Sequence, residues 1–373
     1  EFGIKLTGSY TNQQEVSGAG AYADPVTSAY FLRPTEPVYN EDGTFNQDIP
    51  YNLDYNPVAI TDLDEQFNDI YRALASGYAS FNIINQENNT LTYKFNAGLD
   101  HYDLRENLFW NPNSPSGESY NGYSEYATSQ RDIITVTNTL NWMATFNDVH
   151  NVNVLLGYEA QETKTDYSLT ANSEFPSDQV TTLTNGAEPL TASTSATSNS
   201  LLSTFSRIKY NFNNTYYLSG SFRRDGSSKF GADNRYANFY SVGGSWRISE
   251  ESFLESAGFL HNLRLRASYG TSGNSEIGNF ASRGLYSFGE DYDGKPGSGP
   301  TQIQNPNLRW EKSSNFNVGF DLGLFDRVDF VVDYYERNTE DLLLSVPISS
   351  TVGLTSVLRN IGAMSNKGWE LEL

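Results

Sequence analysis

The residues of this sequence best suited to chemistry are three histidines and a few acidic strings. His101, His150 and His261 fall at a strand end or beside turns, and none has a second ligand at metal-binding spacing. An imidazole needs a neighbouring carboxylate or second ligand to become a site, so ordinary surface or interfacial histidines are expected. Glu290-Asp291-Tyr292-Asp293-Gly294 and Asp62-Leu63-Asp64-Glu65 offer oxygen ligands to a hard cation such as Ca2+. Neither completes an EF-hand loop, so each reads first as a solvated acidic loop, with bound Ca2+ the minority reading. Glu250 and Glu251 are adjacent, point to different sides and make a poor acid/base pair. There is no Gly-x-Ser-x-Gly elbow, phosphate-cradling glycine loop or dinucleotide fingerprint. An enzyme is not expected, nor is a cofactor.

Composition narrows the class without deciding it. The 373 residues are 38% hydrophobic, low for a packed globular domain. The aromatic share, with 25 Tyr, 22 Phe and 5 Trp, is too high for a disordered chain. A soluble protein would bury those rings, whereas a membrane barrel spends them on interface girdles around a polar lumen. The net charge of −21 repels phosphate backbones, and Lys5, Lys209 and Arg223-Arg224 are too sparse for a basic stripe, so nucleic acid is excluded as a partner. The absence of cysteine discriminates little. No run of about 18 apolar residues is present, so no transmembrane helix is expected. Glu1 to Leu6 reads as a strand in progress, not a signal peptide.

Alternation of period two dominates the chain and places one set of side chains on each face of a strand. Leu91, Tyr93, Phe95, Ala97 and Leu99 oppose Thr92, Lys94, Asn96, Gly98 and Asp100. Val152, Val154, Leu156 and Tyr158 oppose Asn151, Asn153, Gly157 and Glu159, and Phe316, Val318, Phe320 and Leu322 oppose Asn317, Gly319, Asp321 and Gly323. The pattern predicts about twelve strands, near 3–13, 70–84, 91–104, 132–146, 150–163, 200–212, 215–225, 238–248, 262–270, 310–324, 328–338 and 368–373. A short helix is expected at Ser252 to Ala257.

Long connections (14–69, 105–131, 164–199, 271–309 and 339–367) alternate with tight ones at Asn85 to Thr90, Asn147 to Val149, Asn213-Asn214 and Phe325 to Arg327. That rhythm is the mark of an up-and-down membrane barrel with short periplasmic turns and long outer loops. It weakens at 226–237 and 249–261, which are about equally long, so strands seven to nine are placed by phase alone. Tyr210, Phe212, Tyr216 and Tyr217 crowd one tight turn, and Phe325 and Phe330 flank Asp326, as in an interfacial girdle. Cross-strand pairing in a soluble sheet is the other reading of those rings.

Five strings stand in order along the chain: Arg224-Asp225-Gly226-Ser227-Ser228-Lys229-Phe230-Gly231, Gly244-Ser245-Trp246-Arg247-Ile248-Ser249-Glu250-Glu251-Ser252-Phe253, Leu263 to Gly270 through Gly273-Asn274, Asn305-Pro306-Asn307-Leu308-Arg309-Trp310-Glu311 and Asn366-Lys367-Gly368-Trp369-Glu370. In that order they resemble the SusC/RagA family of TonB-dependent outer-membrane transporters of Bacteroidota. Pro37-Val38-Tyr39-Asn40-Glu41-Asp42-Gly43 and Asn56-Pro57-Val58-Ala59 resemble the family's first long loop. The roles expected for these strings are structural: Asp225-Gly226 to leave a strand tightly, Pro306 to set the backbone before strand ten, and Trp246, Trp310 and Trp369 to sit at interfaces.

The resemblance implies an all-β fold, a partial transmembrane antiparallel barrel supplying about twelve of roughly 22 strands. Residues 1–373 would be barrel region only, with the plug, the TonB-contacting segment and the closing strands outside the sequence. It further implies import of an oligosaccharide or peptide, a SusD-like surface lipoprotein over the mouth, the TonB–ExbB–ExbD complex as energy source, and outer-membrane lipid and lipopolysaccharide around the barrel. The loop aromatics Trp110, Tyr120, Tyr123 and Tyr126 would be placed to stack on ligand, although loop rings are also plain packing anchors. Two rivals are a siderophore or vitamin receptor, and a soluble secreted adhesin or carbohydrate-binding β-protein whose apolar faces would seal a core.

Overall fold

The computed structural model describes residues 1–15, 24–47, 49, 55–255, 257–325 and 327–373. Twelve strands among them form one antiparallel sheet in sequence order. These are β1 (Phe2–Gln14), β2 (Glu65–Gln86), β3 (Asn89–Trp110), β4 (Tyr123–Phe146), β5 (His150–Ser173), β6 (Glu188–Phe212), β7 (Tyr216–Ser227), β8 (Tyr236–Arg247), β9 (Leu260–Asn274), β12 (Glu311–Leu324), β13 (Val328–Glu340) and β16 (Ala363–Glu372). All twelve coincide with the strands expected from alternation. Two further hairpins, β10 (Leu285–Tyr292) with β11 (Lys295–Gln302) and β14 (Leu343–Pro347) with β15 (Ser356–Asn360), fold inside long connections.

The register explains the alternation. Leu91, Trp142, Val154, Ile208, Gly220, Val242, Tyr269 and Phe316 pair directly across successive strands in a single row. Nearby on the same face, Ile208, Leu218 and Val242 are more than half exposed, at 51%, 58% and 54%. One residue over, Met143, Asn153, Lys209, Ser219, Gly243, Ser268 and Asn317 form a mostly polar row. That second row lines a cavity of about 750 Å3, so it is the concave face and the apolar row is convex. A soluble sheet would reverse this arrangement, because exposed aliphatic rows forfeit about 25 cal/mol for every Å2 left in water. The structure therefore opposes the soluble adhesin reading. No helix of the described residues is long and apolar enough to cross a membrane.

The tight turns obey local backbone chemistry. Asn147-Asp148 and Asn213-Asn214 hold positive φ (50° and 60°, 51° and 53°), the left-handed pair that matches the twist of a two-residue hairpin. Asn and Asp tolerate it because their short side chains bond the local backbone: Asn214 N–H donates to Asn211 Oδ1 at 2.8 Å. Beside these turns the rings of His150, Phe212, Tyr216 and Trp246 succeed one another at centroid distances of 4.8, 6.1 and 6.1 Å across β5 to β8. Glu251 terminates this belt, accepting Trp246 Nε1–H at 2.8 Å and the Tyr216 hydroxyl. The connection carrying Glu251 thus lies at the tight-turn end, and the phase given to strands seven to nine holds.

Several expectations need correction. The segment Ser252 to Ala257 is not an α-helix; Ser252–Leu254 forms a single 3-10 turn, held by Leu254 N–H to Glu251 O at 2.9 Å. Ser256 and Asp326 lie outside the described residues. The strands β2 to β6 run 22 to 25 residues, far past their expected ends. About 9–11 tilted residues cross a bilayer, so the distal halves project beyond it. There both faces are wet, the apolar alternation lapses, and runs such as Thr191 to Ser200 read as loop although they pair with β5. The first long connection also holds two short helices, α1 (Pro25–Phe31) and α2 (Pro57–Leu63), each begun by proline behind a capping residue: Asp24 accepts from Thr27 N–H at 2.7 Å, and Asn56 from Val58 N–H at 3.1 Å.

At the long-connection end the 228–235 segment is pinned by Gly231, whose N–H donates to Leu308 O at 3.2 Å. A methyl group there would overlap the Pro306 carbonyl. Replacing Gly231 with alanine is expected to lower unfolding free energy by about 1–3 kcal/mol, measured by denaturant unfolding of the folded barrel. Gly8→Ala, which meets open space, should stay within about 0.5 kcal/mol.

Candidate functional site

The concave face at the long-connection end carries three of the four aromatic residues singled out in the sequence. On β3 and β4 the even residues of the former and the odd residues of the latter face inward, so Trp110 stands directly opposite Tyr123. Their rings stack at 4.6 Å with 29° between planes, and Tyr120 joins them at 6.0 Å from Trp110 and 5.3 Å from Tyr123. Tyr126 does not belong to this group. It pairs with Asn107 on the opposite face, the face on which Arg105 bonds Asp103 and lies over the Tyr71 ring. Trp110 and Tyr123 are strand residues, not loop residues, and only Tyr120 sits in the connection, within a 3-10 turn.

The 111–122 connection is a fixed part. Buried Asp64 accepts Asn111 N–H at 2.9 Å, Asn111 Oδ1 accepts Asn113 N–H at 2.9 Å, and Gly117 packs so closely on the Asn111 carbonyl that no side chain fits. Asn121 and Gly122, at φ 47° and 87°, then reverse the chain into β4, with Phe175 lodged against Gly122 and edge-on to Phe109 at 5.3 Å. Burial holds the Asp64 carboxyl above the ordinary range, against the opposing bond from Ser114.

Carboxylates line the wall beneath the rings. Glu125, two residues from Tyr123 on the same face, accepts the Tyr123 hydroxyl at 2.5 Å. Glu106 stands opposite Ala127, one diagonal step from Glu125. Glu15, just past β1, accepts Gln66 Nε2–H at 3.2 Å. Desolvation first, then the charges of Glu125 and Glu15, push the Glu106 carboxyl above its usual range. Burial and the bond to Glu125 raise the Tyr123 phenol. These carboxylates escaped sequence reasoning because β3 and β4 were ended at 104 and begun at 132. Carrying the parity of Lys94 and Asp100 onward would have placed Glu106 inward.

The ordered strings occupy structural positions. Asp225 accepts Arg223 Nε–H at 2.6 Å on the inner face, Arg224 lies over the Tyr236 ring at 4.7 Å, and Gly226 leaves room for that same ring. Asn305 donates to Leu358 O at 2.8 Å, and Pro306 O accepts from Asn234. Trp310 is not interfacial: it is buried against Phe230, Phe239 and Leu308, with Nε1–H donated to Arg235 O at 2.8 Å. Three connections converge on it, which supplies the dry environment that an interface would not. Trp246 and Trp369 do lie on the convex face, Trp246 in the ring belt and Trp369 exposed beside Tyr334 at 5.0 Å.

Residues 19–373 match the model of the TonB dependent receptor-like β-barrel. The chain belongs to that family. It is 33% identical to TonB-dependent receptor P39 of Formosa agariphila over its whole length, covering 35% of that protein. It is also 36% identical over 187 residues, 48% of this chain and 19% of the relative, to TonB-dependent receptor SusC of Bacteroides thetaiotaomicron. Among solved structures, the RagAB peptide transporter superposes with a TM-score of 0.84 at 28% identity, covering 99% of this chain and 42% of that one. The chain thus spans about a third of the length of the curated relative it matches end to end, and the SusC/RagA resemblance is borne out.

In this receptor barrel the histidines have local partners: His101 Nδ1 is 2.6 Å from Asp132, His150 Nδ1 is 2.7 Å from the Tyr210 hydroxyl, and His261 is 3.3 Å from Asp329. The acidic string 290–294 lies at the β10–β11 hairpin, whereas Asp62 lies in the last turn of α2 and Asp64, just beyond it, is buried and bonded to Asn111 N–H. Among the described residues no group of three or more His, Asp or Glu is placed to hold a metal ion. On the inner wall Arg266 reaches both Asp321 (2.7 Å) and Asp333 (3.0 Å) across Gly319, the residue paired with Arg266 on one side and Asp333 on the other. Any side chain at Gly319 would block that bridge.

Because the folded state raises the Glu106 pKa, it binds a proton more readily than the unfolded chain. Stability therefore rises as pH falls through the carboxylate range and is lost as pH climbs past the raised value. Glu106→Gln should be at least as stable as the parent near neutrality. Melting curves from about pH 7 to pH 4 should show the parent gaining on the variant.

Proposed function

We propose that this chain is part of the wall of an outer-membrane importer driven by the TonB complex, carrying an oligosaccharide or peptide, with a SusD-like surface lipoprotein over its long-connection end. The observation that carries the reading is the two-faced sheet: aliphatic and aromatic rows exposed on the convex side, polar rows on the concave side, and a ring belt beside the tight turns. That is the physical requirement of a lipid-embedded barrel with a wet lumen. The likeness to the RagAB peptide transporter supports the peptide alternative and a two-component assembly. The projecting halves of β2 to β6 and the clasp around Trp310 give a lid a rigid rim to meet.

The reading is tested by single cysteines at Leu156 and Phe320 on the convex face and at Asn153 and Asn317 on the concave face of the full-length receptor in outer membranes. A lipid-phase quencher should reach only the first pair and a water-soluble thiol reagent only the second. Sealing of Leu156 and Phe320 from both phases would overturn it. Uptake of labelled peptides or oligosaccharides by cells should fall to background when TonB is deleted.

A further inference from the structure

The inner wall at the long-connection end concentrates negative charge that the described residues do not neutralise. Glu15, Glu106 and Glu125 come from the end of β1, from β3 and from β4 onto one face. The charges felt by Glu106 are those of the other two, with no cation of the described residues among them. Asn68 provides an independent sign of a missing partner. It pairs with Glu106 across β2 and β3 on the same face, only 7% of it is exposed, and its Oδ1 accepts no hydrogen bond. A buried acceptor without a donor is destabilising, so a site that keeps one open is suited to a donor from outside. Directly above stand the stacked rings of Trp110 and Tyr123 with Tyr120 beside them, whose faces carry the negative potential that attracts a cation.

We propose that this wall is a subsite for an organic cation, the ammonium or guanidinium of a basic side chain on a peptide, held by Glu106 and Glu125, donating to Asn68 Oδ1 and lying against the Trp110–Tyr123 stack. A cation of this kind fits better than a metal ion. Diagonal cross-strand neighbours such as Glu106 and Glu125 stand roughly 7–8 Å apart at the backbone, and the carboxylates do not converge as metal ligands do. A planar or tetrahedral group with several N–H donors can bridge such a spread and satisfy the amide oxygen as well. The inference rests on the importer reading and narrows its ligand to peptides bearing lysine or arginine.

The test is calorimetric titration of the full-length receptor, purified in detergent, with a capped pentapeptide of alanine bearing a central lysine, and with its counterpart bearing norleucine. The lysine peptide should bind about tenfold more tightly, the scale of one charge-assisted contact. The preference should vanish in the isosteric Glu106→Gln/Glu125→Gln variant, whose heat-modifiable migration on gels reports an intact barrel. Trp110 emission should respond to the lysine peptide alone. Equal affinities, a preference that survives in the variant, binding of neither peptide to an intact barrel, or displacement of the lysine peptide by stoichiometric Ca2+ would each overturn the proposal. If the cysteine test places the convex rows in lipid while the lysine preference is missing, this inference fails alone; if those rows are sealed from lipid, the importer reading fails with it.

Discussion

The backbone hydrogen-bond ladder between adjacent antiparallel strands is the interaction on which every other feature of this chain depends. Inside a bilayer no water can satisfy an N–H or C=O, so a spanning segment must pair all of them with its neighbours. The ten inner strands of the sheet meet that demand by pairing on both sides, each with the sheet strand before it and the one after it in chain order, from β1–β2 through β13–β16. Once the ladder is in place the side chains have no freedom of face: each residue is convex or concave by parity, and a slip of one position would turn the whole apolar set into the lumen. The direct row from Leu91 through Val154 and Ile208 to Phe316 shows the constraint obeyed across eight strands.

The ladder also explains how a wet surface is built far outside the membrane. At the tight-turn end the strands are closed by Asn-rich turns and ringed by the His150–Phe212–Tyr216–Trp246 belt. At the other end β2 to β6 continue well past the length a bilayer needs, carrying Trp110, Tyr123, Glu106 and Glu125 on a rigid scaffold instead of on mobile loops. A site on strands keeps its side chains in fixed register, which loop segments cannot do so well. The connections are fastened onto this scaffold separately: the 111–122 segment by Asp64 and close glycine packing, and the three later connections by the buried cluster around Trp310.

Polar groups on the concave face are mostly satisfied in local pairs. Arg266 spans Asp321 and Asp333, Arg223 meets Asp225 and Ser203, and Arg72 meets Asp100. The acidic wall near Trp110 departs from that habit, since its carboxylates face one another and Asn68 keeps an open acceptor. Asn153 Oδ1 on the same face also lacks a partner, but at the acidic wall the open acceptor coincides with carboxylates that meet no cation, and departures from polar satisfaction of that kind suit a partner arriving from outside.

By itself the sequence determined the twelve strands of the main sheet, their antiparallel order, the separation of apolar from polar faces by parity, and the family, because those features rest on period-two alternation, turn residues and ordered strings that read locally. Asn213-Asn214 or Phe316 to Leu322 needs no distant partner to be understood. The tertiary structure alone decided the length of β2 to β6, since Ser/Thr-rich ladder exposed to water on both faces has no hydrophobic period to reveal it. It alone decided that Trp310 is buried while Trp246 is interfacial, because burial came from three connections folding together. It also separated Tyr126 from Trp110, Tyr120 and Tyr123 and gathered Glu15, Asn68, Glu106 and Glu125 on one wall, a meeting fixed by cross-strand register between residues up to 110 positions apart.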